Sequence, residues 1–255
     1  MSEAIAASFV SVEKLSCYSN LRSGPQRGRT PNRIDLLFLD LLMAAHADNS
    51  LQTAIEQIAV PGITIGHRFI SPGDEGALWP EEAIASGSVK SRQASGAARI
   101  VARELLASAG YGICAVPKAL SGAPTWPSEI VGSLAHDSFV AVAAVAPIRE
   151  FAGIGIDIEP AEAPPFDLVK IIATASEQSA LNSHQYGGRL LFAAKEAVYK
   201  AVAAFDRAFL NHHDVEIDFL KRKAVVRNGR TVELRFCIST HLLALAFLRR
   251  TPSVQ

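Results

Sequence analysis

The chain has 255 residues, 49% of them apolar, which is enough for one large domain or two small ones with buried cores and too apolar for disorder. Lysine plus arginine total 25 and aspartate plus glutamate total 25, so a general nucleic-acid binder, which carries a basic excess, is excluded and any anion site has to be local. Cys17, Cys114 and Cys237 are too few and too widely spaced for a disulfide framework or a zinc site, and no stretch approaches the roughly twenty apolar residues of a membrane span; a soluble, cytoplasmic protein with no nucleic-acid or membrane partner is the expectation.

Residues 1–33 read as a flexible N-terminal segment, because 18–33 are rich in Gly, Pro and Arg and lack apolar periodicity. Gly62–Ile70 is β-rich and is followed by Ser-Pro-Gly-Asp, a strand and its turn. Ala94, Ala98, Val101, Leu105 and Ala109 recur at helical spacing ahead of Gly110, which predicts a helix over 91–109. Residues 130–146 form an apolar β region interrupted at His136-Asp137-Ser138, and 152–159 form the next strand, broken by Pro160. A Pro-rich link leads into helices across 167–205. Four short strands follow, Val215–Phe219, Lys223–Arg227, Thr231–Ser239 and His241–Leu248, with Asn228-Gly229 as a tight turn. This order predicts an α+β fold: two similar α+β halves related by a pseudo-twofold, over 34–150 and 151–250, packed side by side with the active-site cleft between them and a tail at 251–255.

Alternate side chains of a strand share a face, so Ile154, Ile156 and Ile158 can face a core while Gly155, Asp157 and Glu159 face the other way. Two carboxylates at that spacing suit either a solvated polar face or a cation site. On the later helix Phe192, Glu196 and Lys200 fall on one stripe beside Lys195, within a segment that is otherwise alanine-rich and apolar. Such a helix turns its charges into something rather than toward water. Magnesium takes about six oxygen ligands, and Asp157, Glu159 and Glu196 offer carboxylates of that kind. Lys195 and Lys200 can then neutralise phosphate charge, Ser133 and His136 can hydrogen-bond phosphate oxygens, and Arg99 and Arg103 lie one turn apart on the earlier helix. Gly153-x-Gly155 lacks the third glycine of a dinucleotide fingerprint, and no phosphate loop or nucleophile elbow is present.

The motifs run in a recognisable order: Pro80-Glu81-Glu82, Ala98-Arg99 through Leu106, Gly122-Ala-Pro-Thr-Trp126-Pro127, Val131-Gly-Ser-Leu-Ala-His136, Gly155-Ile-Asp157-Ile-Glu159-Pro160 and Phe192-Ala-Ala-Lys195-Glu196-Ala-Val-Tyr-Lys200. In these, over roughly 50–250, the chain resembles a 4′-phosphopantetheinyl transferase of the large two-lobed class that includes the enterobactin synthetase component D type. The resemblance implies transfer of the phosphopantetheine arm of coenzyme A to a serine of an acyl- or peptidyl-carrier protein, with release of 3′,5′-ADP. It implies magnesium on Asp157, Glu159 and Glu196, with Glu196 also the base for the serine. It places Lys195 and Lys200 on the phosphates as catalytic groups, and Arg99, Arg103, Ser133 and His136 on coenzyme A.

Three positions depart from the family pattern: Ala135 before the histidine, Ala123 where a cation is common, and Ala98 where glycine is usual. The resemblance further implies a monomer serving siderophore or nonribosomal peptide biosynthesis, with Arg92, Arg99 and Arg103 as a basic patch for an acidic carrier. A non-catalytic coenzyme A or carrier-protein binding module is the alternative, and a magnesium-dependent pyrophosphohydrolase a third reading.

Overall fold

Alternating apolar residues build two antiparallel sheets, and two alanine-rich helices cover them. A computed structural model describes residues 47–83, 87–165, 167–181, 185–203 and 210–250, which fall in one compact unit, His46–Gln255. The expected N-terminal segment 1–33 and tail 251–255 lie outside the described residues, as do the last residues of the expected helical region 167–205.

In chain order the elements are α1 (residues 47–57), β1 (Thr64–Phe69), α2 (Val89–Ser108), β2 (Ile130–His136), β3 (Val140–Pro147) and β4 (Phe151–Pro160). Then come α3 (Leu168–Ile172), α4 (Ala175–Leu181), α5 (Gly187–Val202), β5 (Val215–Asp218), β6 (Lys223–Val226), β7 (Thr231–Ile238) and β8 (His241–Arg249). The first sheet has the order β1-β3-β2 and the second β4-β8-β7-β6-β5. The fold is α+β, as the element order predicts, though the sheets are unequal, with three strands and five. Ala109, expected on the buried stripe of α2, is the exposed residue just beyond its end.

The strands β3 and β8 are buried on both faces, and on β8 side-chain size sorts the two. On β3, Ala143 and Val145 pack under α2 with Val101, Leu105 and Leu106. Val140, Val142, Ala144 and Ala146 point the other way, into a cluster with Leu51 and Ile55 of α1, Ile154, Ile156 and Ile158 of β4, and Leu243, Leu245 and Phe247 of β8. Under α5 the second sheet presents Ala244 and Ala246. Large residues thus fill the shared core, each contributing about 1.5–3 kcal/mol on full burial, while alanines under the helices let them approach. The edge strands β2 and β4 lie against one another, and Ser133 Oγ accepts the Ile156 N–H across them at 3.0 Å.

The tightest helix–sheet approach is at Gly155 on β4. A Cβ there would stand 1.9 Å from the Ala197 carbonyl oxygen of α5, so only glycine permits this packing. Gly155→Ala is therefore expected to destabilise the fold by about 3 kcal/mol, at the upper end of overpacking costs, lowering the urea midpoint with little change in slope. An unchanged midpoint in equilibrium unfolding would mean that α5 is free to move away.

Candidate active site

Because α5 lies so close to β4, its side chains reach those of the strand directly. Positions 189, 196 and 200 fall within an arc of about 40° on an ideal helix, so Arg189, Glu196 and Lys200 share the stripe facing Asp157 and Glu159. Lys200 Nζ lies 2.6 Å from Asp157 Oδ1 and also donates to the Ile156 carbonyl at 3.1 Å. At the other end of the seam Arg189 Nη1 meets Glu159 Oε2 at 2.9 Å, and its Nε and Nη2 donate to the Glu162 and Ala163 carbonyls at 3.2 Å. Glu196, between these pairs in sequence, forms no ion pair among the described residues.

Three carboxylates thus share two cations. Burial pushes the Asp157 carboxyl up, the Lys200 ammonium counters it, and the negative charge of Glu196 adds to the rise. Glu159 is raised by burial, against the Arg189 hydrogen bond and with the repulsion of Asp157. Glu196 is raised by burial, against Lys200 and with the repulsion of Glu159. Asp157 Oδ2 is buried with no hydrogen-bond partner. An orphaned carboxylate oxygen and three carboxyls short of positive charge fit the demand of a hard divalent cation. As the side chains stand, no three His, Cys, Asp or Glu groups among the described residues gather at metal-ligating distances.

Lys200 also borders a cleft of about 680 Å³, a volume suited to a small-molecule ligand. The cleft lies where α2, the loop 118–128, the edges of β2 and β4 and the end of α5 meet. Its walls include Arg99, Lys118, Ser133 and His136. Arg99 is anchored through Nε to the Val116 carbonyl at 3.0 Å and through Nη1 to Ser95 Oγ at 2.6 Å. Burial is the leading cause of the downward shift of its guanidinium pKa, opposed by Glu82. Trp126 closes one side, its indole stacked so tightly on Gly132 that a Cβ there would lie 2.4 Å from the ring. The hairpin 118–124, tied by Ala119 N–H to Ala123 O at 2.8 Å, carries Lys118 across from Pro124.

Two expected ligand contacts, Lys195 and Arg103, have other partners. Lys195 is 0% exposed: its ammonium donates to the Ile172, His212 and Val215 carbonyls at 2.8, 2.6 and 2.8 Å and pairs with Glu177 at 2.8 Å. With its three N–H bonds spent it has none for a phosphate, so Lys195 is a structural cation rather than a catalytic one. Arg103 grips both oxygens of Glu82 at 2.9 and 2.7 Å, donates to the Ala77 carbonyl and stacks on Trp79, away from the cleft. Ser133 borders the cleft, and since its Oγ only accepts there, from the Ile156 N–H, its O–H is left to donate to a ligand. The expected carrier patch also dissolves, because Arg99 and Arg103 are buried and Arg92 is only partly exposed.

Sequence reasoning missed Lys118, Arg189 and Glu177. For Lys118 the signal was the cation absent at Ala123, which another residue of the same hairpin can replace. For Arg189 it was the helical spacing from Glu196 and Lys200. Glu177 had no local signal, since it meets Lys195 only through tertiary packing.

Two family models match the chain in succession. Residues 78–146 match the family model described as the 4′-phosphopantetheinyl transferase N-terminal domain, and residues 153–246 match that of the 4′-phosphopantetheinyl transferase superfamily. The 4′-phosphopantetheinyl transferase Npt of Nocardia iowensis is 36% identical over 169 residues, covering 65% of this chain and 76% of that protein. The 4′-phosphopantetheinyl transferase Svp of Streptomyces mobaraensis is 33% identical over 145 residues, covering 53% of this chain and 59% of that protein. Among solved structures, the Thermotoga maritima holo-[acyl-carrier-protein] synthase aligns at 21% identity with a TM-score of 0.33, over 40% of this chain and 65% of that one.

Lys195→Met is expected to cost about 3–5 kcal/mol in urea unfolding, because it strands the buried Glu177 carboxylate. A variant of full stability but weakened coenzyme A binding would return Lys195 to the phosphates. Glu196 is raised on folding, so its stability contribution is present below the ordinary carboxylate range and lost as pH rises through the folded value. Cation-free Glu196→Gln should accordingly melt above wild type at pH 8, with the gap closing toward pH 4; a lower melting temperature at pH 8 would show that the ionised carboxylate stabilises the fold.

Proposed function

The chain belongs to the 4′-phosphopantetheinyl transferase superfamily, and from that premise we propose that it moves the 4′-phosphopantetheine arm of coenzyme A onto a serine hydroxyl of an acyl- or peptidyl-carrier protein, releasing 3′,5′-ADP. The observation that carries the proposal is the position of Lys200, which borders the cleft and pairs with Asp157 at 2.6 Å, so that a ligand's phosphates and the carboxylate seam meet at one side chain.

In this reading Arg99, Lys118 and His136 hold the anionic portions of coenzyme A along the cleft. The serine oxygen bonds to the phosphorus of the pantetheine phosphate as the bond from that phosphorus to the ADP oxygen breaks. Glu196, its pKa raised, accepts the serine proton, and Lys200 stabilises the departing phosphate oxygen. Such a displacement depends on alignment and charge neutralisation more than on covalent help, and anchored cationic side chains supply both. Asp157, Glu159 and Glu196 would hold a magnesium ion, which when bound neutralises pyrophosphate charge.

The finer assignments are part of the same proposal: the two-lobed class of the enterobactin synthetase component D type, divided near residue 150, acting as a cytoplasmic monomer in siderophore or nonribosomal peptide biosynthesis. Two sheets, each with its own long helix, support the class. No helix among the described residues is long and apolar enough to cross a membrane.

Incubating apo carrier protein with the enzyme, coenzyme A and magnesium should add one phosphopantetheine, about 340 Da by intact-mass spectrometry, with no gain in EDTA or with Glu196→Gln. Absence of any gain across several unrelated carriers, despite measurable coenzyme A binding, would favour the binding module.

A further inference from the structure

Of the charged side chains on the site-facing stripe of α5, the proposed reaction uses Glu196 and Lys200 and leaves Arg189 without a task. We propose that Arg189 is a counter-ion built into the fold, which holds Glu159 when no divalent cation is bound and competes with the cation for that carboxylate. The inference rests on the cation site of the reading above and adds what sets its affinity.

The geometry separates this pair from a purely structural one. Arg103 takes both oxygens of Glu82, with the two side chains 9% and 0% exposed, which is a closed grip. Arg189 takes one oxygen of Glu159, at 2.9 Å, with the side chains 17% and 21% exposed. A single, partly solvated bond can open where the buried pair, with both carboxylate oxygens engaged, cannot. The guanidinium is nevertheless delivered to its place, because the Glu162 and Ala163 carbonyls just beyond β4 fix its Nε and Nη2. Arg189 therefore stays beside the site when Glu159 swings away.

Charge count gives the direction. Asp157, Glu159 and Glu196 face Lys200 and Arg189, and Asp137, paired with His241, adds a further carboxylate whose charge reaches Glu159. A dication entering this set offsets the same negative charge that Arg189 offsets, so ion and guanidinium compete for Glu159. Arg189 then repels the ion from close range, and removing its charge tightens binding.

The test is a Mn²⁺ titration followed by the electron paramagnetic resonance of the free ion, with coenzyme A present and no carrier protein. Arg189→Met is expected to bind Mn²⁺ on the order of tenfold more tightly than wild type, the effect of one unit charge a few ångström from a dication in a water-like dielectric. Arg189→Lys, which keeps the charge, should bind like wild type. Without the ion Arg189→Met should melt below wild type, and Mg²⁺ should narrow that gap. Should the methionine variant not fold, Arg189→Gln drops the charge while keeping donors for the two carbonyls, and carries the same expectation. Equal or weaker Mn²⁺ binding by the uncharged variant, or equal tightening in Arg189→Lys, overturns the proposal while leaving the transferase reading intact. Wild type taking up no Mn²⁺ would remove the cation site itself, and the magnesium assignment with it.

Discussion

The site depends on a missing side chain. Without a Cβ at Gly155, the backbone of α5 rests on β4 at a distance no other residue allows, and the register brings Lys200 to Asp157 and Arg189 to Glu159. Glu196, on the same stripe, adds a third carboxylate. The positive pKa shifts follow from that packing: helix and strand exclude water from carboxyls that repel one another, and two cations offset only part of the cost. A cluster held this way is stabilised by the fold around it rather than by its own charges, as expected where function and stability compete.

That surrounding fold uses one device in both halves. In the first, α2 sends Arg103 inward to Glu82, and Glu82 also accepts the Val116 N–H at 2.7 Å. Arg99 takes the Val116 carbonyl, so two charged residues clamp the residue from which the cleft-lining hairpin springs. In the second half, α5 sends Lys195 inward to Glu177, which accepts the Ile217 N–H at 2.7 Å, while the ammonium binds carbonyls from two segments distant in sequence, Ile172 and His212 with Val215. Buried pairs of this kind add little net stability over an apolar core, but breaking one is costly, and here each fixes the loops around its long helix. The carboxylate seam is thereby held without using the residues that face a ligand, while in the first half Arg99 both anchors the hairpin and lines the cleft.

The fold was legible because its signals are local. An apolar run interrupted at His136-Asp137-Ser138 located β2 and β3, the strand ended by Pro160 located β4, Asn228-Gly229 marked the β6–β7 turn, and the Ala94–Leu105 stripe located α2. The carboxylate seam was legible for the same reason, since strand and helix periodicities put Asp157 and Glu159 on one face and Glu196 and Lys200 on another. Charge alone does not tell whether a buried cation faces a ligand or a carbonyl. Lys195 and Arg103 were misread on that point, and their partners Glu177 and Glu82 lie 18 and 21 residues away in sequence, where no periodicity reaches. Lys118 and Arg189 were overlooked because each acquires its role only when a hairpin or a helix–strand seam closes in three dimensions.

The central claim is that Asp157, Glu159 and Glu196 form one cation site at the end of the ligand cleft. Anomalous diffraction at the manganese edge, from crystals grown with coenzyme A and Mn²⁺, addresses it without reference to turnover. The account predicts a single strong peak bounded by these three carboxylates, with the coenzyme's pyrophosphate on its open side and Glu159 released from Arg189. A peak elsewhere, or ordered coenzyme A with no ion at the seam under saturating Mn²⁺, would contradict it.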